Sequence, residues 1–260
     1  MIREILQLRY FEKPVGFIFR LALLLPFYAL PGVQGQEYKV DPVATVTELY
    51  PEGTLDVAVD SAGGVHVVYG EYLTINQQFR TRLQYAYRAR PNEAWTFVVA
   101  ADVDRPFTRA AIAVNNEGRP RIAWMSNEGL KFKRGTSGGT WFNDEMIDAT
   151  ISSDPNAGLD LHYDPATETY YIAYTDFGGR LRLAVDTLTD SWGVNQVVSD
   201  FGYQPSLVPP RGLFGRAKIA SYDPTGTALM FAEQVFQNFT LVWETRTVTT
   251  NFDSGRNPSS

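Results

Sequence analysis

The sequence predicts an all-β fold assembled from repeated four-stranded units, on three observations. A phrase of alternating apolar residues recurs four times at nearly constant spacing. Each copy is followed by a leucine-led phrase and then by a tryptophan or another aromatic residue. No helical pattern of ten or more residues interrupts the chain beyond residue 36.

The first phrases are LDVAVDSAGGVHVVYG from Leu55, AAIAVNNEGRPRIAWM from Ala110, LDLHYDPATETYYIAY from Leu159 and the weaker SLVPPRGLFGRAKIASY from Ser206, spaced by 55, 49 and 47 residues. Alternation such as Leu55, Val57, Val59 or Leu159, Leu161, Tyr163 is the period-two signature of a strand. Between paired strands stand Asp60-Ser-Ala-Gly-Gly64, Asn115-Asn-Glu-Gly118 and Asp164-Pro-Ala-Thr167. Asp or Asn at the head of such a segment can accept hydrogen bonds from its own backbone, and glycine supplies positive φ later in it. We therefore read Asp60, Asn115 and Asp164 as turn formers, with calcium binding as the alternative. The third strands follow as LQYAYR from Leu83, LKFKRG from Leu130, LRLAVD from Leu181 and LMFAEQ from Leu229. Trp95, Trp141, Trp192 and either Phe239 or Trp243 open the fourth.

Four short strands joined as a meander cannot cover both of their faces alone, but packing such units around an axis does so. The expected architecture is a β-propeller of four-stranded antiparallel blades, with four recognisable repeats and four or five blades. Val43 to Tyr50 resembles the fourth strand of a blade whose other strands are not upstream. It would either close the ring by pairing with the last repeat or belong to an incomplete fifth blade. An incomplete blade would leave an edge open to a homodimer or to a missing segment.

The repeat resembles that of the secreted sialidase-type propellers (the BNR or Asp-box repeat), over residues 54–248. The resemblance implies the fold; activity is a separate matter, because such propellers include hydrolases, lectins and interaction modules. The motifs of the sialidases themselves are not matched. Arg-Ile-Pro is absent, GRPRIAW from Gly118 having another order, and the Asp-box is only echoed by RGTSGGTW, with Thr136 where its Asp would stand. Arg109, Arg180 and Arg216 are available but not assignable as a carboxylate clamp, and the resemblance implies six blades in catalytic members, more than residues 36–260 supply.

The N-terminus reads as a secretory signal peptide over 1–35, with a basic start, the apolar LALLLPFYAL and small residues before Gln36; an uncleaved anchor is the alternative. The remainder, 36–260, is expected to be a single propeller domain, secreted or periplasmic and of bacterial type. There are 23 Lys and Arg against 29 Asp and Glu, and without 1–35 the net charge is −8. With no basic stripe, nucleic acid is not an expected partner, and no further span is expected in the mature chain. The absence of cysteine removes disulfides, thiolate nucleophiles and Cys-based metal sites. No cofactor or metal is expected.

Candidate ligand-binding residues are those where one repeat departs from the others. His162 replaces Ala58 and Ala113 of the first two repeats, and is either a packed histidine or a ligand contact in the central channel. Arg109, at the head of the second repeat, could hold a carboxylate bidentately or form an exposed ion pair. Tyr69, Trp124 and Tyr174 end the second strand in three repeats, with Ser221 in the fourth, and either pack between blades or stack on sugars. Thr74 to Arg82 is an insertion confined to the first repeat and a candidate contact loop. No catalytic residues are assigned, since no Gly-x-Ser-x-Gly elbow, zinc-protease helix or phosphate loop occurs. The sequence thus favours an exported non-catalytic binding propeller for a glycan or cell-surface protein. A degenerate sialidase-like glycoside hydrolase is the alternative, and a structural envelope component a third possibility.

Overall fold

The computed structural model describes residues 19–23, 41–46, 55–75, 78–103, 107–126, 128–149, 157–187, 191–200, 202–211, 215–225, 227–238 and 240–249. Residues 1–49 and 50–260 are separate compact units. In the first, β1 (Phe19–Leu23) pairs antiparallel with β2 (Asp41–Val46). β1 falls inside the segment read as a signal peptide, whose cleavage point after Gly35 lies outside the described residues, as do residues 47–50 of the strand expected at Val43 to Tyr50.

The second unit consists of four antiparallel sheets of four strands, each a meander in chain order. The first contains β3 (Leu55–Val59), β4 (Val65–Ile75), β5 (Gln78–Arg88) and β6 (Thr96–Val103). The second contains β7 (Phe107–Val114), β8 (Pro120–Ser126), β9 (Gly129–Arg134) and β10 (Glu145–Asp148). The third contains β11 (Leu159–Asp164), β12 (Thr169–Thr175), β13 (Leu181–Thr187) and β14 (Ser191–Ser199). The fourth contains β15 (Tyr203–Val208), β16 (Lys218–Asp223), β17 (Ala228–Gln237) and β18 (Thr240–Thr249). Because the fourth sheet draws all four strands from its own repeat, β2 does not complete it; β2 pairs with β1 instead. The insertion of the first repeat is a hairpin rather than a loose loop: β4 and β5 stay paired out to Ile75 and Gln78.

Consecutive sheets pack through their first strands, β3 on β7, β7 on β11 and β11 on β15. Pleating sends alternate residues of each strand toward the preceding and following sheets. On the side facing the preceding sheet, Ile112, Leu161 and Leu207 stand opposite Ile122, Ile172 and Ile219. On the other side Asp56, Ala111, Asp160 and Ser206 stand opposite Val68, Ala123, Ala173 and Ala220. The junctions form three apolar cores, and each fully buried Leu, Ile or Phe contributes about 1.5–3 kcal/mol. The tryptophans complete them. Trp141 meets Tyr85 edge-on at 5.2 Å and Trp192 meets Phe132 at 4.8 Å, each reaching the third strand of the preceding sheet. Trp243 packs likewise on the core containing Leu183, so it takes the position left open between it and Phe239, which lies outside the described residues.

Turn chemistry repeats more faithfully than the sequence shows. In 60–64, 115–119, 136–140 and 176–180 the first residue's N–H donates to the fifth carbonyl, and the fourth N–H donates to the first carbonyl. The fourth residue is glycine at φ of 86°, 70°, 80° and 78°. Oδ1 of Asp60, Asn115 and Asp176 accepts from the third and fifth N–H, and the Thr136 hydroxyl accepts from Thr140. Thr136 thus forms the same turn as the aspartates. Asp164 heads a different turn, accepting from the Ala166 N–H and the Thr167 hydroxyl.

Candidate functional site

The polar residues of the inner strands lie at the sheet junctions. Asp56 Oδ2 accepts from the Ile112 N–H at 2.8 Å, and Asp160 Oδ2 accepts from the Leu207 N–H at 2.6 Å. At the intervening junction, where Asp56 and Asp160 are matched by Ala111, Arg109 Nε donates to the Ala157 carbonyl at 2.9 Å. Each junction therefore carries a side-chain tie from an inner strand to the backbone of the next sheet. Gly158 allows the closest approach, because a Cβ there would lie 2.3 Å from both Gln204 Cα and Pro205 Cδ.

His162 shares a face of β11 with Asp160, its Nε2 3.3 Å from Asp160 Oδ2, and is half-buried. Asp56 lies within electrostatic reach of both. Burial, chiefly, and the Asp160 charge raise its pKa from 3.8 to about 6, against the opposing pull of the Ile112 and Val57 N–H groups and His162. Desolvation disfavours the carboxylate more than its two N–H partners favour it. The inner strands thus assemble two acids and a histidine, and burial favours the protonated form of Asp56.

Tyr69, Trp124 and Tyr174 are buried, Trp124 and Tyr174 facing the preceding sheet and Tyr69 on the corresponding side of the first; they are packing residues rather than an open aromatic rim. Trp124 belongs to the core between the first two sheets. The Tyr174 hydroxyl donates to Asp148 Oδ2 at 2.6 Å across the junction of the second and third, and burial and the Asp148 contact together push its pKa up. Burial, then the Glu71 charge, pushes Tyr69 up to about 12. The acids two residues beyond Tyr69, Tyr174 and the equivalent Ser221 are also engaged. Asp176 Oδ2 accepts from Arg180 Nε at 2.8 Å and Arg182 Nε at 2.6 Å. Burial alone would raise its pKa, but these arginines and the Arg180 N–H outweigh it and hold the carboxyl low. Glu71 accepts from Gln84 Nε2, and Asp223 from the Thr225 N–H and hydroxyl.

Asp56 and Asp160 are the junction residues of the candidate site that the reading of the sequence passed over. Their signal was present: an aspartate follows leucine in otherwise apolar first strands, in LDVAV and LDLHY. His66 was passed over too. It is buried on β4, with Nδ1 2.7 Å from the Tyr85 hydroxyl and Nε2 3.2 Å from Asp60 Oδ2. Burial lowers its pKa against the pull of Asp60. This relay ties the first turn to the core. Among the described residues no group of three metal-ligating side chains occurs, and no helix is long and apolar enough to cross a membrane.

No protein-family model matches the chain, and no curated protein matches it in sequence. Solved structures do match its fold. The NanB sialidase from Streptococcus pneumoniae superposes with a TM-score of 0.54 at 7% identity, over 74% of this chain and 48% of that one. A mutant of AofleA from Arthrobotrys oligospora gives 0.57 at 16% identity, over 83% and 63%. The fucose-specific lectin from Aleuria aurantia gives 0.50 at 13%, over 75% and 61%. This chain thus spans about half to three-fifths of their lengths. The fold is that of the β-propeller proteins, a group that includes both a sialidase and sugar-binding lectins.

Proposed function

We propose that this chain is an exported sugar-binding propeller without hydrolytic activity. The observation that carries the reading is how its acids are used. Asp56 and Asp160 hold the backbone of the next sheet, and the Tyr174 hydroxyl is committed to buried Asp148. A glycosidase needs two carboxyl groups, or a tyrosine and an acid, free to meet a scissile bond. Half-buried Arg109, and half-buried His162 beside Asp160, are suited to hydrogen-bonding sugar hydroxyls or a sugar carboxylate. The sugar-binding neighbours support the same class of ligand. Export rests on residues 1–35, and the intact mass of the exported protein tests it: a chain beginning at Gln36 is expected, and retention of 1–35 in a membrane fraction would contradict it.

The test of binding is a glycan array probed with wild type, His162→Ala and Arg109→Ala. Binding lost in either variant with an unchanged melting curve is the expected result. Array binding that neither substitution alters would remove these residues from the site, and no binding at all would move the reading to a protein partner or an envelope role.

One observation favours the degenerate hydrolase as second reading. Asp56, with its pKa near 6, would hold the proton a general acid requires. Turnover of fluorogenic glycosides, abolished by Asp56→Asn, would establish it.

A further inference from the structure

The three junctions within the chain define what each sheet requires on either side, and among the described residues the first and fourth sheets each lack one neighbouring sheet. Facing their predecessors, Ile112 and Leu161 are 3% exposed and Leu207 is 0% exposed. Their counterpart in the first sheet, Val57, is 36% exposed, and Val59 beside it 54%. On the fourth strand of that sheet Phe97 and Val99, opposite Ala86 and Gln84, are exposed as well. In the two middle strands Val65, Val67, Tyr69 and Ala86 of this face are already buried, so only the flanking strands β3 and β6 are left open.

The fourth sheet shows the complementary deficiency. Toward their successors, Tyr85, Phe132 and Leu183 are buried, as are Val68, Ala123 and Ala173. The fourth-sheet counterparts Phe231 and Ala220 remain half-buried. Arg246 lies over the Phe231 ring at 4.8 Å, where an internal junction would place a tryptophan. The first sheet's own tryptophan, Trp95, has Arg88 over it at 4.7 Å in place of a third-strand aromatic. Among the described residues no packing like that of the internal junctions joins the fourth sheet to the first.

We propose that a second copy of this chain supplies both missing neighbours, the fourth sheet of one copy packing on the first sheet of the other. The repeat itself argues for this occupant. The open face of the fourth sheet has the register and residue classes that cover Ile112, Leu161 and Leu207 within the chain, and the open face of the first has those that cover Tyr85, Phe132 and Leu183. Trp95 would meet Phe231 as Trp192 meets Phe132, and Ser206 would face Val57 as Asp160 faces Leu207. Two copies related by a two-fold axis make this contact twice and leave no such face open.

The absence of native cysteine makes a direct test clean. The full chain should show twice its monomer mass by light scattering, and Val59→Asp, at a position exposed in the monomer, should halve it. The double variant Val57→Cys/Ser206→Cys should form a disulfide-linked dimer on oxidation, more completely than either single variant. A monomeric mass at micromolar concentrations would overturn the proposal. So would thiols lost without a change in mass, since sheets one and four would then meet within one chain. A dimer indifferent to Val59→Asp that fails to cross-link would show a different interface and overturn it equally.

Discussion

Replacing Asp56 by asparagine should stabilise the chain above pH 6 and leave it nearly unchanged near pH 4. The folded protein holds this carboxyl at a pKa of about 6, against 3.8 as its ordinary value, chiefly because the group is buried. Between those two values the folded chain keeps a proton that the unfolded chain has released, so this group's contribution to stability falls as pH rises through the window and stays low above it. At about 1.36 kcal/mol per unit the ceiling is about 3 kcal/mol, and the water that reaches a half-buried residue reduces it to about 1–2 kcal/mol. Asparagine retains an oxygen that can accept from the Ile112 N–H and has no charge to desolvate. Urea unfolding of both proteins at half-unit steps from pH 4 to 8 would read the difference, which should grow through pH 5 and 6 and then level off. A variant no more stable than wild type at pH 8, or a difference independent of pH, would refute the reasoning.

Tyr174→Phe removes the 2.6 Å hydrogen bond to buried Asp148 and should cost about 1.5–3 kcal/mol in urea unfolding, without change in the far-ultraviolet circular dichroism. Gly63→Ala tests the shared turn: at φ 86°, with no atom within 4 Å of the added Cβ, only backbone strain opposes it, and a loss of about 1–2 kcal/mol is expected. Gly179→Ala, where the Cβ would also meet the Tyr203 hydroxyl at 3.0 Å, should lose more in the same assay.

Much of the fold was legible because its signals are local. Period-two alternation and the turn residues locate the strands, and the tryptophan spacing identifies the blade. Of the four common turns those headed by Asp60 and Asn115 were read and that at Asp176 was not, while Thr136 hid the other, since a hydroxyl forms it with fewer hydrogen bonds than a carboxylate. The candidate site was harder to read because it depends on contacts across junctions. Asp56 and Ile112 are 56 residues apart, and nothing in LDVAV says that its aspartate binds the next repeat. His162 and Arg109 stood out by breaking the repeat, and the structure places both at junctions of the inner strands. Tyr69, Trp124 and Tyr174 were legible as a set, with packing between blades and stacking on sugars both open, because a strand-end aromatic can turn to either face of its sheet.

The measurement that bears most directly on the proposed sugar-binding function follows a glycan recovered from the array. It would be titrated into wild type and Arg109→Ala, and its mass determined after prolonged incubation with wild type. The account predicts saturable binding to wild type, weaker binding to the variant and sugar recovered intact. Hydrolysed sugar, with the reaction lost in Asp56→Asn, would contradict it and establish the inner-strand acids as catalytic.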